Sequence, residues 1–448
     1  MSNSDISHDE RLELHGDDKL LTRFAPGRAA MWMLAKLLNR LVQNGQLSVC
    51  DPWGKTWRFG QTHRGGPTVS VRFTDPALPA RLLANPSLAL GEAYMDATLR
   101  IETGSLRDFL GMCMADLDMV EALPGKRILA VLDTLSNRRL HHNPVDRARS
   151  NVAHHYDLST EFYDLFLDAD RQYSCAYFPS GSETLEQAQA LKMRHIAAKL
   201  RLRPELDVLD IGSGWGGLAL ELARQHQARV TGLSLSQEQI AAARASAKQS
   251  GLSERVSFEL RDYRQERAQY DRVVSVGMFE HVGPSGFDAY FDTIHRVLRP
   301  DGVALVHTIC TKASKGGSDP WIRKYIFPGG YIPALSETIA ATERSGLWVT
   351  DVEILRVHYA TTLRHWSQRF AAERETARKL YDERFCRMWE FYLAVCELAF
   401  LQGRLMVCQI QLAKRRDAVP LTRDYIADAE ADDHSHDGPT TPQTRSET

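Results

Sequence analysis

Residues 208–217, VLDIGSGWGG, run an apolar stretch straight into a glycine-rich turn, and a helical pattern over 218–225 follows. Gly212 and Gly214 let the backbone approach a ligand closely, with no Cβ in the way. The helix that opens there leaves amide N–H groups aimed at the same space, which suits a carboxylate or a phosphate. The spacing departs from the dinucleotide fingerprint GxGxxG, which turns the reading from a nicotinamide cofactor toward S-adenosylmethionine. Many nucleotide sites place an acid about 20 residues later to hold ribose hydroxyls. Here residues 232–235 read GLSL, without an acid, and Gln239 one helical turn on offers an amide instead.

Elements that position such a turn can be read on both sides of it. Strands are expected at 228–236, 255–262, 271–276 and 303–309, and helices at 237–249 and 287–298, the latter stopped by Arg299-Pro300-Asp301-Gly302. Strands alternating with helices mean βαβ units and a parallel, doubly wound sheet, with ligands at the carboxyl ends of the strands. The expected fold class is therefore α/β, a doubly wound, Rossmann-like domain beside a smaller N-terminal α+β domain; the resemblance described below implies that the larger one is an S-adenosylmethionine-dependent methyltransferase domain. Three regions follow: 1–145 as an accessory domain for packing or substrate presentation, 146–416 as the catalytic domain, and 417–448 as a disordered tail.

In the accessory region a hairpin turn at Asp51-Pro52-Trp53-Gly54 joins strands at 46–50 and 55–60. A third strand at 68–74 and helices at 78–84 and 91–97 complete the reading. Residues 140–150, LHHNPVDRARS, suit a linker. From Asp417 the chain turns acidic and then rich in Pro, Thr and Ser, a composition that cannot bury a core.

A chain of 448 residues is long enough for two domains. Its net charge of −2 gives no basic field for nucleic acid. No apolar run approaches the ~20 residues of a membrane span, and the polar start MSNSDISHDE does not read as a signal peptide. Seven scattered cysteines without CxxC pairs suit a reducing cytoplasm and neither a disulfide framework nor a metal site.

HYDLSTEFYDLFLDADRQYSCAYF (155–178), LDIGSGWGGLA (209–219), SVGMFEHVG (275–283), LVHTI (305–309) and DPWIRKYIFPGGYIP (319–333) together resemble the cyclopropane-fatty-acyl-phospholipid synthases and their relatives, the mycolic acid cyclopropane synthases. The similarity is strong over 150–416. It is weaker in the N-terminal region, where LALGEAYMDATLRIETGSLRDFL (88–110) carries it. The resemblance implies transfer of a methylene group from S-adenosylmethionine to the cis double bond of an unsaturated phospholipid acyl chain, with bound bicarbonate as the base. The bicarbonate pocket would comprise Cys175, Glu280, His307, the Ile309 backbone and Tyr359. A thiol, an imidazole N–H, a phenol and an amide can each donate to an anion, and Glu280 can accept its hydroxyl hydrogen.

Each of these side chains has a duller reading from its type alone. Cys175 suits a small core residue, His307 a hydrogen-bonded core histidine, and Glu280 either a surface pair with His281 or the direct base. Tyr156 matches a tyrosine near the reacting carbons, where its ring would face a cation, and also suits simple packing. Cys396 matches a cysteine sometimes given an active-site role, although its apolar helical setting reads as structural.

Cofactor contacts carry over to Tyr173, Ser174, Gly212, Gly214, Ser234, Leu235 and Gln239, with Tyr263 and Val276 flanking the adenine. Asp262 would accept from the adenine amino group or stand exposed. Trp321, Tyr325, Phe327 and Tyr331, mixed with Arg323 and Lys324, suit either a headgroup interface or a packed loop. Peripheral contact at the inner face of the membrane and a homodimer complete what the family implies. The rival products are a methyl-branched or methylene chain. Rival functions are N-methylation of a headgroup amine and lipid binding without catalysis.

Overall fold

The computed structural model describes residues 26–61, 65–114 and 158–436. The helix Pro26–Leu41 leads into β1 (Gly45–Cys50), β2 (Thr56–Gln61) and β3 (Thr68–Phe73). Helices Leu78–Ala84 and Pro86–Met95, β4 (Leu99–Thr103) and the helix Leu106–Met114 follow. The strands align as β2-β1-β3-β4, with β1 and β3 parallel. The hairpin forms where the sequence placed it, because Asp51 organises the turn. Its Oδ1 accepts from the amides of Trp53 and Lys55 at 3.0 and 2.9 Å, and its Oδ2 accepts from Trp57 Nε1 at 2.9 Å.

A second sheet runs β10-β11-β9-β8-β5-β6-β7. Its strands are β5 (Asp207–Ile211), β6 (Arg229–Ser234), β7 (Val256–Leu260), β8 (Tyr270–Val276), β9 (Leu298–Thr311), β10 (Trp348–Leu355) and β11 (Leu405–Ala413). β5 to β9 are parallel, whereas β11 is antiparallel to both neighbours. The expected doubly wound fold is present, with one correction: the sheet is mixed. The chain leaves β5 toward β6 on one side and returns to β8 on the other, so the crevice for a ligand opens at the carboxyl end of β5.

Two local readings change as well. The helix Phe287–Val297 ends where expected, but the Arg299-Pro300-Asp301-Gly302 segment already belongs to the 14-residue β9, which begins at Leu298 rather than at 303. The register jump between the pairs Tyr270–Leu298 and Arg272–Val303 absorbs its extra residues as a bulge. Within the stretch expected as tail, the helix Asp424–His436 packs against the helix Leu185–Leu200 beside the catalytic sheet. There Ile426 is buried, and the Tyr425 hydroxyl accepts from Gln411 at 2.6 Å.

The N-terminal unit packs against the helices Pro320–Tyr325 and Glu383–Leu401. Trp321 is fully buried, 4.7 Å from the Phe391 ring. Glu92 receives Arg81, Lys324 and the Tyr325 hydroxyl, and Arg107 pairs with the buried Glu397. Trp321, Tyr325 and Lys324 are thus joined to the N-terminal unit rather than spread as a headgroup interface. Tyr331 is buried too.

Gly91 sits where any Cβ would enter the Trp321 indole. Alanine normally favours a helix interior by about 1 kcal/mol over glycine. Overpacking by roughly 1–3 kcal/mol should outweigh that gain here. Gly91→Ala is expected to lower the denaturation midpoint of the purified protein. An unchanged or raised midpoint would show that this contact does not constrain the two units.

Candidate active site

The turn after β5 places Gly212 at φ +87° and Gly214 at φ +55°, both in the left-handed region that favours glycine. A Cβ on Gly212 would meet Met278 at 2.9 Å, while the Cβ direction of Gly214 faces open space. The helix Gly217–His226 begins directly after the turn. In front of it lies a cavity of about 320 Å³. Tyr173, Ser174, Gly212, Gly214, Ser234, Leu235, Gln239, Tyr263 and Val276 all line this one space. The sequence had drawn them from five separate stretches.

The polar walls have defined roles. Ser234 Oγ donates to Gln239 Oε1 at 2.9 Å, which leaves the amide NH2 as the remaining donor of that side chain. Asp262 is buried, not exposed, and its carboxylate is held by the Arg264 backbone amide and guanidinium at 2.6–2.9 Å. Tyr263 stands edge-on to Tyr290 with ring centroids 5.4 Å apart. Tyr173 shares a 2.9 Å hydroxyl contact with Tyr392 on the helix Glu383–Leu401.

Two lining or adjacent charges escaped the sequence reading. Asp210, at the end of β5, is 2% exposed and its Oδ2 has no partner. Burial lifts its pKa to about 7, against the pull of the Lys192 ammonium. Lys192 is fully buried and reaches Gln172 Oε1 and, at 3.0 Å, Ser174 Oγ. The available signals were a carboxylate inside the apolar run VLDI and a lysine on the inward face of a helix.

A second set of expected residues lies toward and beyond the carboxyl ends of β8 and β9. β8 ends at Val276, and the Gly277 amide donates to the His307 carbonyl at 2.9 Å. β9 continues, and its next outward amide, Ile309, donates to Glu280 Oε1 at 2.6 Å. Glu280 Oε2 is enclosed without a partner, and burial lifts the carboxyl to about 7. His307 lies two residues from Ile309 on β9. Its ring is held neutral, with a pKa lowered to about 3 by burial and by Lys192 and Lys199.

Cys175 is buried next to Ser174, its thiol 3.3 Å from the Ala176 carbonyl, and burial pushes its pKa up. The Ala176 amide donates to Thr362 Oγ1 at 3.0 Å, tying this segment to the helix His358–Ala372 that carries Tyr359. The Tyr359 ring lies 5.0 Å from Phe400 and 5.8 Å from Trp366.

Other expectations fare differently. The Ile309 amide, expected to serve an anion, is engaged by Glu280. Burial raises the Cys396 thiol pKa as well, which disfavours a thiolate there. Tyr156 lies outside the described residues.

Comparisons with known proteins meet this geometry. The family model for mycolic acid cyclopropane synthetase matches residues 143–410, and a domain of unknown function matches residues 33–120. The chain belongs to the mycolic acid cyclopropane synthetase family. A probable fatty acid methyltransferase of Pseudomonas putida is 37% identical over 80% of this chain and 91% of its own. The cyclopropane-fatty-acyl-phospholipid synthase of Escherichia coli shows the same identity and coverage. The solved structure of mycolic acid cyclopropane synthase CmaA1 complexed with SAH and CTAB is 34% identical, with a TM-score of 0.56. That match covers 59% of this chain and 97% of CmaA1. By fold and family the protein is an S-adenosylmethionine-dependent methyltransferase of the cyclopropane synthase type.

As in any buried carboxyl, the raised pKa of Glu280 has a stability consequence. Its folded pKa of about 7 lies above the ordinary carboxylate value, so the folded state binds the extra proton between about pH 4.5 and 7. Stability from this group is therefore full at low pH and is lost as pH rises through that window. Glu280→Gln removes the titration and keeps an acceptor for the Ile309 amide. The variant is expected to be more stable than the parent at about pH 8, by on the order of 1–3 kcal/mol. The difference should vanish near pH 4.5, as read by denaturant unfolding at each pH. A pH-independent difference would remove the enclosed, titrating carboxyl from this account.

Proposed function

We propose that this enzyme transfers a methylene group from S-adenosylmethionine to the cis double bond of unsaturated phospholipid acyl chains, with bicarbonate as the base. The observation that carries the reading is the enclosed Glu280 carboxylate, whose chain neighbours Met278 and His281 line the cofactor-sized cavity. One of its oxygens is fixed by Ile309 and the other is unpartnered. An unpartnered buried acceptor is costly, and the O–H of a bound bicarbonate would satisfy it. Cys175, His307 and Tyr359 supply the donors the rest of such an anion needs.

Cofactor fit rests on the glycine turn, the Gln239 amide and the unpartnered Asp210 Oδ2 in the cavity lining. When bound, S-adenosylmethionine supplies an electrophilic methyl group on a sulfonium. An alkene is a weak nucleophile, so the enzyme's contribution is to hold it in line and dry. Positioning of this kind supplies on the order of 7–11 kcal/mol in favourable cases. Tyr173, Tyr359, Trp366 and Tyr392 form one connected aromatic cluster, of which Tyr173 lines the cavity, and ring faces of this kind suit a developing cation. Glu280 then orients the base that takes a proton from the transferred carbon, which closes the ring.

Among the described residues no helix is long and apolar enough to cross a membrane. In this reading the enzyme takes its lipid by peripheral contact with the cytoplasmic face. Methyl branching is the second reading, favoured by the name of the Pseudomonas relative.

The decisive assay supplies methyl-trideuterated S-adenosylmethionine and unsaturated phospholipid vesicles, with products read by mass spectrometry and proton NMR. Two retained deuteriums with ring-carbon signals are expected. Three retained deuteriums in a methyl-branched chain would replace cyclopropanation with methylation.

A further inference from the structure

The proposed chemistry leaves unused a set of charged residues along one face of the helix Leu185–Leu200. Lys192, His195 and Lys199, spaced three and then four apart, share that face, and all three are buried. Lys199 donates to Glu353 on β10 and, at 2.8 Å, to Gln409 Oε1 on β11. An ammonium only donates, so the amide oxygen of Gln409 faces Lys199 and its NH2 group faces the other way.

That NH2 lies 3.2 Å from His307 Nδ1. It too only donates, so Nδ1 is a bare acceptor and the ring proton sits on Nε2. Gln409 and His307 are register partners on β11 and β9, so the backbone itself holds them together. At the outer end, His195 Nε2 is 2.6 Å from Glu353 Oε2, and its Nδ1 is 2.5 Å from Glu430 Oε1 on the helix Asp424–His436. Unbroken contacts therefore join the C-terminal helix to His307.

We propose that Lys199 and Gln409 are positioning residues that hold His307 in its Nε2–H tautomer, with Glu353, His195 and Glu430 holding Lys199 in place. This deepens the anion site proposed above and rests on His307 being one of its donors. The tautomer matters because an anion needs a proton-bearing nitrogen in front of it, and a bare nitrogen would repel it. Packing alone would accept any side chain of similar shape at position 409.

Gln409→Glu separates the two roles. Glutamate keeps the shape and can still accept from Lys199, but it offers His307 Nδ1 an acceptor in place of a donor. Ring-nitrogen spectra of histidine-labelled full-length enzyme, with the His307 signals assigned by their loss in His307→Phe, report the tautomer. The parent is expected to show a protonated Nε2 and Gln409→Glu a protonated Nδ1. kcat should fall on the order of 10–100-fold in Gln409→Glu, with the dissociation constant for S-adenosylhomocysteine unchanged.

A protonated Nδ1 in the parent overturns the proposal, whatever Gln409→Glu does. So does an unaltered tautomer in Gln409→Glu, or full turnover despite inversion. Full turnover in His307→Phe would overturn the anion site as well. An inactive His307→Phe beside a fully active Gln409→Glu would overturn the positioning role alone.

Discussion

Glu280 accepts the Ile309 amide at the one place where β8 has stopped and β9 still needs a partner. That contact sets the geometry of everything beyond the sheet's end. It anchors the short turn Phe279–His281 over β9 and puts a carboxylate where a strand would have been. It also depends on the opposite edge, because β11 pairs with β9 from Val303 to Thr311 and keeps the overhanging end straight. Removing β11 would leave both His307 and Ile309 without a fixed backbone.

The site is expensive for the fold. Asp210, Lys192, Lys199, His195 and Glu280 are ionisable groups taken largely out of water, and desolvation shifts several of them far from their ordinary values. The protein offsets this cost by pairing. Lys192 meets Gln172 and Ser174, and His195 and Lys199 both meet Glu353. Two carboxylate oxygens, Asp210 Oδ2 and Glu280 Oε2, are among the buried polar atoms left without partners. They lie where a cationic cofactor and an O–H-bearing anion are proposed to bind.

The sequence made some of this plain and hid the rest for physical reasons. The helix Gln237–Gln249 coincides with its sequence reading, because Ser236 caps it and Gly251 follows its end. The glycine turn was equally legible, since few residues tolerate its backbone angles. β10 and β11 were not: WVTDVEIL carries charges, and buried Gln409 and Gln411 interrupt the apolar pattern of β11. Lys192, His195 and Lys199 look like a solvated helix face until the sheet is placed beneath them. Cys175, Glu280, His307 and Tyr359 sit in distant segments, and only whole-motif resemblance joined them. The helix Asp424–His436 was missed because its acidic composition matches a tail, and one buried isoleucine and two polar contacts are a weak signal in sequence.

The central claim, that an anion completes the Glu280 site, is tested most directly by the bicarbonate dependence of turnover. Initial rates would be measured in buffer stripped of carbon dioxide, with bicarbonate then restored in steps at constant pH and ionic strength. In the parent enzyme the rate is expected to collapse on stripping and to recover saturably with bicarbonate. Glu280→Gln should bind S-adenosylhomocysteine normally and recover little. Full turnover in stripped buffer, unaffected by added bicarbonate, would contradict the account and leave Glu280 itself as the base.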